Sequence, residues 1–501
     1  MTSAGLLGIE PPSLIADDIV LGVAALLVAG VLAASIAARL RMPSLVLVLG
    51  LGMIVADDGL GWIIFSDAEL AQNMSVLALV IILYEGGLAT RVSDLRRVLA
   101  PATMLSTLGV VVTAAVVAGA LMLLTDVSTS TAWILGAVVA STDAAAVFAT
   151  VRSAPVPRRL TTTLSAESGM NDPVAVLLTV GTVAAVTTTV TAADWLLFGV
   201  RQLGLGLVVG LVVGGIGGLL VGRARLSAPT FHQVLALAVG AASYGVAAAV
   251  GGSSFLAAFV AGVLVSELSP QHRRAVRNFH QGLAETAQIG LFFLLGVLVF
   301  PSELFGNLWI ALVVAVVLLL VARPVAVVVS LLWFRFTLRE LTFVSWAGLR
   351  GAVPIVLATF ALTEGNPDGR LVFDVVFFVV VISTIVQGTT LGPVAKLLGL
   401  RRDPGPVDLT VEITPLGSSD ADVAETELDE DHPLVGRTVA ESAPPPPLRV
   451  VLIGRSGHTF APGGSTRYEG GDVLVLGVSA GSLDLRMVEH WLSSVAAAPE
   501  T

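Results

Sequence analysis

Long apolar runs alternate with short charged connections along most of the chain. The runs fall near 16–38, 44–56, 73–90, 103–124, 131–151, 163–189, 195–222, 230–250, 253–267, 285–300, 308–335, 341–362 and 371–396. A helix needs roughly 20 apolar residues to cross the hydrocarbon core, so the pattern predicts about thirteen transmembrane helices. The runs 44–56 and 253–267 are short for a straight crossing. Beyond residue 403 the pattern changes. Val407–Ile413, Pro433–Val439, Leu448–Ile453 and Asp472–Leu476 read as short strands or turns, punctuated by Pro444–Pro447, Gly454–Gly457 and Gly463–Gly464. A last helix is expected near Asp484–Ala496. The predicted organisation is a transmembrane domain over 1–402 and an acidic linker over 403–431 that can include the first strands of the next domain. A small cytosolic α+β domain covers 432–501, with 406–485 as a wider estimate.

Composition narrows the class. The 501 residues are 55% hydrophobic and only 13% charged, against about 25% charged in soluble domains. An all-α polytopic membrane protein is the expected fold. With no cysteine, disulfides and thiolate metal sites are excluded. The net charge of −10 is concentrated in 403–431, which holds ten acidic and no basic residues. No basic patch supports nucleic-acid binding. Walker, Rossmann and metalloprotease motifs are absent, so neither ATP-driven pumping nor hydrolysis is supported, and an enzyme is not expected. Glu10, Asp17 and Asp18, with no early Lys or Arg, are unlike the positive start of a signal peptide. The run from Ile19 to Ala37 is better read as a first span.

The connections fix an orientation. Basic residues follow every odd-numbered run: Arg39 and Arg41, Arg91 with Arg96 and Arg97, Arg152 with Arg158 and Arg159, Arg223 and Arg225, Arg273 with Arg274 and Arg277, Arg339, and finally Lys396 with Arg401 and Arg402. Connections after even-numbered runs are acidic or uncharged, apart from Arg370. The positive-inside rule then places the N-terminus outside and the C-terminus in the cytoplasm.

Against this apolar background a few polar residues stand out. Asp143 lies in Ser141-Thr142-Asp143, and Asp172 in Glu167-Ser168-Gly169-Met170-Asn171-Asp172-Pro173. Charge at membrane depth is costly and is kept mainly where it acts. Ser168 and Asp172 share one helical face, and Glu167 and Asn171 a neighbouring one. Carboxylate, hydroxyl and carbonyl oxygens are the ligands that hard monovalent cations take. Asp143, Thr142, Ser168, Asn171 and Asp172 are therefore the candidate ion and proton site. Arg323 and Arg350 interrupt later spans and need partners. Glu167–Arg323 is expected as a structural ion pair, while Arg350 is open between structure and cation repulsion. Glu85, near the end of the third run, is either a cytoplasmic funnel for cations or a solvated interfacial group. Gln288 and Gln387 are read as interhelical hydrogen-bonding groups, the span-seven glycines as close packing, and His272 and His280 as part of a basic cytoplasmic stretch. Runs five and twelve are broken, by Ser-Thr-Asp and by Gly348-Leu-Arg-Gly351 with Pro354, and they cross in opposite directions. Paired broken helices in inverted halves point to a transport site near the midplane. The halves would be spans 1–6 and 8–13, giving two inverted six-helix repeats with two discontinuous crossing helices.

Ser141-Thr-Asp-Ala-Ala-Ala-Val147, Glu167–Pro173 and Gly348-Leu-Arg-Gly-Ala-Val-Pro354 together resemble the monovalent cation:proton antiporter family, of the sodium/proton exchanger type. Residues 406–485, with Pro-Leu-Val-Gly-Arg-Thr and Tyr-Glu-Gly-Gly-Asp-Val-Leu-Val-Leu-Gly, resemble the TrkA-C (RCK-C) regulatory domain. The pairing is similar to bacterial potassium/proton antiporters. The resemblance implies that Asp172 binds ion and proton, that Asp143, Thr142 and Ser168 complete the site, and that Asn171, in place of a second Asp, marks one-for-one electroneutral exchange. It also implies a homodimer in the cell membrane with an elevator-like movement. A small cytosolic ligand such as a cyclic dinucleotide would bind the C-terminal domain, and no other cofactor is expected. No nucleotide-binding RCK-N domain precedes the TrkA-C-like segment, which departs from the pattern for NAD or ATP control. The expected function is K⁺/H⁺ exchange, with Na⁺/H⁺ exchange of the same fold as the alternative. A gated cation channel is more distant, since no Thr-Val-Gly-Tyr-Gly-like filter is present, and a membrane sensor without transport is a third reading.

Overall fold

The computed structural model describes residues 15–40, 44–63, 65, 67–90, 92–142, 156–187, 191–228, 230–364, 366–400, 412–415, 421–428, 432–455, 458–479 and 491–492. The chain forms two units, Met1–Arg401 and Arg402–Thr501.

The first unit is helical. Its elements are α1 (Ile15–Leu40), α2 (Ser44–Val55), α3 (Ala68–Ala89), α4 (Val92–Met104), α5 (Val110–Leu124), α6 (Thr129–Val138), α7 (Arg158–Thr187), α8 (Ala192–Arg223), α9 (Thr230–Val250), α10 (Ser254–Leu268), α11 (Arg273–Val297), α12 (Leu308–Val317), α13 (Arg323–Leu331), α14 (Leu338–Trp346), α15 (Ala352–Thr363) and α16 (Gly369–Leu397). Among the described residues, eight stretches are long and apolar enough to cross a membrane, and Ser44–Val55, Thr129–Val138, Ser254–Leu268 and Ala352–Thr363 are shorter apolar helices. Large side chains such as Leu21, Leu196, Leu211 and Trp333 face outward, as lipid-facing positions do. The chain is an integral membrane protein.

Two stretches read as basic connections are helical instead. α4 begins at Val92 and α11 at Arg273, well before the apolar runs they carry. Basic residues on the outer face of an amphipathic turn cost nothing there, while the opposite face packs. His280 is accordingly buried in α11 rather than solvated.

Close helix crossings use glycine. Gly52 of α2 and Gly296 of α11 meet backbone to backbone: a Cβ at Gly52 would lie 2.3 Å from the Phe293 carbonyl, and one at Gly296 2.2 Å from the Leu49 carbonyl. Gly87 of α3 and Gly262 of α10 repeat this, with 2.2 Å to the Phe259 carbonyl and 2.4 Å to the Tyr84 carbonyl. Small residues let helices approach where there is no water to drive association. Of the span-seven glycines, Gly210, Gly214, Gly217 and Gly218 pack on α9 or α10, and Gly215 meets nothing.

Two helices are continued through π turns. Leu105–Gly109 joins α4 to α5, and Leu318–Ala322 joins α12 to α13. Pro324 explains the second, because it cannot donate to the Leu320 carbonyl, and the Arg323 amide bonds the Leu318 carbonyl instead. The two turns pack reciprocally, the first against α13 and the second against α5.

The second unit is a five-stranded antiparallel sheet, in the order β1-β2-β5-β3-β4, with β1 (Glu412–Pro415), β2 (Ala421–Glu427), β3 (Arg449–Arg455), β4 (His458–Phe460) and β5 (Val473–Ser479). The acidic segment supplies β1 and β2, which pair with each other, and β2 also pairs with β5. Leu434, Leu448, Ile453, Tyr468, Leu474, Leu476 and Trp491 form its core. Arg455 donates a fork to the fully buried Asp472, at 2.7 and 2.8 Å. The stretch 433–439 forms turns with isolated bridges to Tyr468 and Arg467. The expected last helix lies mostly outside the described residues.

Candidate functional site

The site begins where α6 ends. α6 stops at Val138, and after a turn Ser141 and Thr142 are non-helical and buried. Asp143 lies outside the described residues. Beside this break runs α7, which presents Glu167, Ser168, Asn171 and Asp172, all buried. Pro173 lacks an amide hydrogen, so the Gly169 carbonyl loses its helical donor.

Two connected clusters form. In the first, Ser141 Oγ donates to Asp172 Oδ1 at 2.7 Å. In the second, Thr142 Oγ1 is a hub. It accepts from Asn171 Nδ2 at 2.5 Å, lies 3.1 Å from Ser168 Oγ, and donates to Glu167 Oε1 at 3.4 Å. A carboxylate only accepts, so the Thr142 proton goes to Glu167. Asn171 and Ser168 must then both donate to Thr142, which fills its lone pairs and fixes the amide orientation. Asn171 Oδ1 is left buried with no hydrogen-bond partner.

Glu167 is paired a second time. Arg323 Nη1 and Nη2 donate to Glu167 Oε1 and Oε2 at 2.6 and 2.8 Å, with both side chains almost fully buried. The geometry is a bidentate fork, the strongest carboxylate arrangement. The π turn at Leu318–Ala322 directly precedes Arg323, and Gly348 makes room for it, since a Cβ there would lie 2.4 Å from Arg323 Nε.

Arg350 lies in the second break, the non-helical stretch 347–351 between α14 and α15. Its guanidinium is buried and none of its three nitrogens has a hydrogen-bond partner. Its charged neighbours are Arg323 and Glu167. Glu85 stands apart in α3, half-buried, with Arg277 and Glu285 of α11 as charged neighbours. Gln288 is half-buried in α11, whereas Gln387 is buried and donates to the Trp346 carbonyl at 2.8 Å.

Two features escape sequence reasoning. Ser141 contacts Asp172 directly, and its only signal is a hydroxyl two positions before Asp143. Asp374 is a third buried acid among the described residues of the helical unit, placed 3.2 Å from Arg370 and 3.4 Å from Asn307 Nδ2. It lies at the fourth position of the run 371–396, one turn from Arg370, where a charge pair at the start of a run gives no sign of burial. Nearby, Thr131 Oγ1 donates to Asp368 at 2.5 Å.

The helices thus surround a buried carboxylate held by a hydroxyl, with a bidentate ion pair beside it. Residues 23–397 match the family model described as "Sodium/hydrogen exchanger, transmembrane", and the chain belongs to that family. It is similar to the K(+)/H(+) antiporter NhaP2 of Shewanella baltica, 38% identical over 89% of this chain and 78% of that protein. It is also similar to the Na(+)/H(+) antiporter NhaS2 of Synechocystis, 31% identical over 80% of this chain and 75% of that one. Its fold is like that of the sodium proton antiporter MjNhaP1 of Methanocaldococcus jannaschii, with a TM-score of 0.65 at 24% identity over 76% of this chain and 98% of that structure.

Proposed function

We propose that this protein is a secondary antiporter that exchanges K⁺ for H⁺ one for one across the plasma membrane, with no catalytic chemistry and no cofactor in the transport unit. Asp172 carries the exchanged charge. A proton and a dehydrated cation compete for the same carboxylate, so loading one expels the other and no second gate is needed. Burial disfavours the bare charge, and either ligand relieves it.

The observation that carries this reading is a buried carboxylate held by a hydroxyl at a helix break. Asp172 accepts from Ser141 Oγ, and the neighbouring Glu167 is held in a fork by Arg323. The orphaned Asn171 Oδ1 adds a neutral oxygen, as do Ser168 and the released Gly169 carbonyl. Thr142 has no lone pair left and orients the others. Asp143 completes the set as a second carboxylate. Asn171, being neutral where a further carboxylate would add a charge, keeps the loaded carrier equal in charge with K⁺ or H⁺. K⁺ is favoured over Na⁺ by the likeness to the Shewanella antiporter and by the TrkA-C-like segment; exchange of Na⁺ on the same site is the alternative.

We infer thirteen spans in two inverted halves, with the N-terminus outside and the C-terminus in the cytoplasm. Three pairings support it: the breaks in spans 5 and 12, the π turns in spans 4 and 11, and the glycine crossings of spans 2 with 10 and 3 with 9. Each maps onto its counterpart when spans 1–6 are overlaid on 8–13. The carrier works as a homodimer, Glu85 draws cations from the cytoplasm, and the unit from Arg402 is a TrkA-C-like regulator taking a small ligand such as a cyclic dinucleotide.

The test is a proteoliposome pH-gradient assay with K⁺, Na⁺ and Li⁺ in turn, repeated without residues 403–501. Saturable, K⁺-dependent proton flux insensitive to membrane voltage is expected. Proton-independent K⁺ flux would make the protein a channel, and no flux at all a sensor.

A further inference from the structure

The break in span twelve leaves backbone groups stranded at full burial. The Trp346 carbonyl and the Arg350 amide and carbonyl all lose their helical partners there. An unsatisfied buried group of this kind costs about 1–3 kcal/mol. Three side chains of α16 take them up. Gln387 Nε2 donates to the Trp346 carbonyl at 2.8 Å, Thr384 Oγ1 donates to the Arg350 carbonyl at 2.9 Å, and the Arg350 amide donates to Ser383 Oγ at 3.4 Å. Ser383 Oγ in turn donates to Gln387 Oε1. All three side chains are buried. Ser383 and Gln387 lie one turn apart on one helical face, and Thr384 is beside them.

The Arg350 head group explains why this stitching matters. Its guanidinium is buried and makes no hydrogen bond. A charge with nothing holding its head is located by its root, and the root is clamped on both sides of one residue. We propose that Ser383, Thr384 and Gln387 are positioning residues that set where the Arg350 charge stands relative to the Glu167–Arg323 pair, and so set how tightly the neighbouring site holds a cation.

Among the described residues, the charged groups that act on Arg350 are Arg323 from α13 and Glu167 from α7. A nearby positive charge repels a bound cation. Loosening the clamp lets Arg350 retreat, so the cation is held more tightly.

The proposal rests on the antiport reading, and its test separates the two. In proteoliposomes at fixed pH, Thr384→Val is expected to lower the K⁺ concentration that gives half-maximal proton flux by about threefold or more, with Thr384→Ser restoring the wild-type concentration profile. Ser383→Ala provides the same test should Thr384→Val not fold. Thr113→Val, which removes a buried hydroxyl bonded only within its own helix, should leave the profile alone. A second readout does not depend on transport: hydrogen exchange of the peptide spanning 347–352 should quicken several-fold in either clamp variant while α7 is unchanged. A wild-type profile in a folded Thr384→Val protein, or equal shifts in Thr384→Val and Thr113→Val, would overturn the proposal. So would unchanged exchange at 347–352. Absence of flux in the wild-type protein would sink the antiport reading and leave the exchange measurement to judge the clamp.

Discussion

The two broken spans differ in what they do with their freed backbone. At the first, Ser141 and Thr142 turn side chains toward α7 and join its polar groups into clusters. At the second, α16 takes up the Trp346 and Arg350 carbonyls, and among the described residues the Arg350 head group has no hydrogen-bond partner. One break offers acceptors, the other a fixed positive charge. The contrast teaches that a helix interruption is not in itself a binding site. Which groups are left unsatisfied decides what it can hold.

The largest effect expected from disturbing this contrast comes from Asp172→Asn. It removes the carrier charge and should abolish cation-dependent collapse of a proton gradient, leaving a folded protein of normal yield. Robust exchange by that variant would move the carrier role elsewhere. Next come Glu167→Gln and Arg323→Ala. Each strands a buried partner, and losing one half of a buried pair costs about 3–5 kcal/mol. Folded yield and melting temperature in detergent should fall sharply. A normally stable Arg323→Ala protein would contradict the structural role of the pair.

A smaller effect is expected at the glycine crossings. Gly87→Ala would set a methyl group 2.2 Å from the Phe259 carbonyl. The helices must separate, at about 1–3 kcal/mol. Gly215→Ala, which meets nothing, is the control, and equal melting temperatures for both would undo the packing argument. The smallest effect concerns His272, whose ring stacks on that of His232 at 3.8 Å. Burial, and then the His232 neighbour, hold its pKa below the usual histidine value. The folded state therefore binds fewer protons than the unfolded one. The stability involved is present above the ordinary histidine pKa and is lost as pH falls below it. His272→Gln should flatten the drop in melting temperature between pH 7.5 and 5.5, and a drop of undiminished size would show that other groups cause it.

Much of this was legible in the sequence because membrane burial makes polar residues conspicuous. Glu167 and Arg323 are 156 positions apart, yet each needed a partner, and the inventory of intramembrane charges is short. Hydrophobic runs likewise located the helices. Their beginnings were not legible at α4 and α11, where amphipathic turns carry arginines that resemble a loop. Ser141 escaped because hydroxyls are common in membrane helices and usually bond their own backbone, as Thr113 and Thr359 do. The α16 stitching was legible only as Gln387, since its function depends on which carbonyls another helix has released.

The π turn before Arg323 is, in effect, a miscount retained in the chain. Its five residues, Leu318–Ala322, occupy a turn that an α-helix would close with one fewer. Every residue of an α-helix advances the face by about 100°. Deleting a single residue there would let the helix wind regularly and would swing the guanidinium out of reach of Glu167, with no change to either charged residue. In this protein the buried ion pair is thus specified by chain length as much as by chemistry.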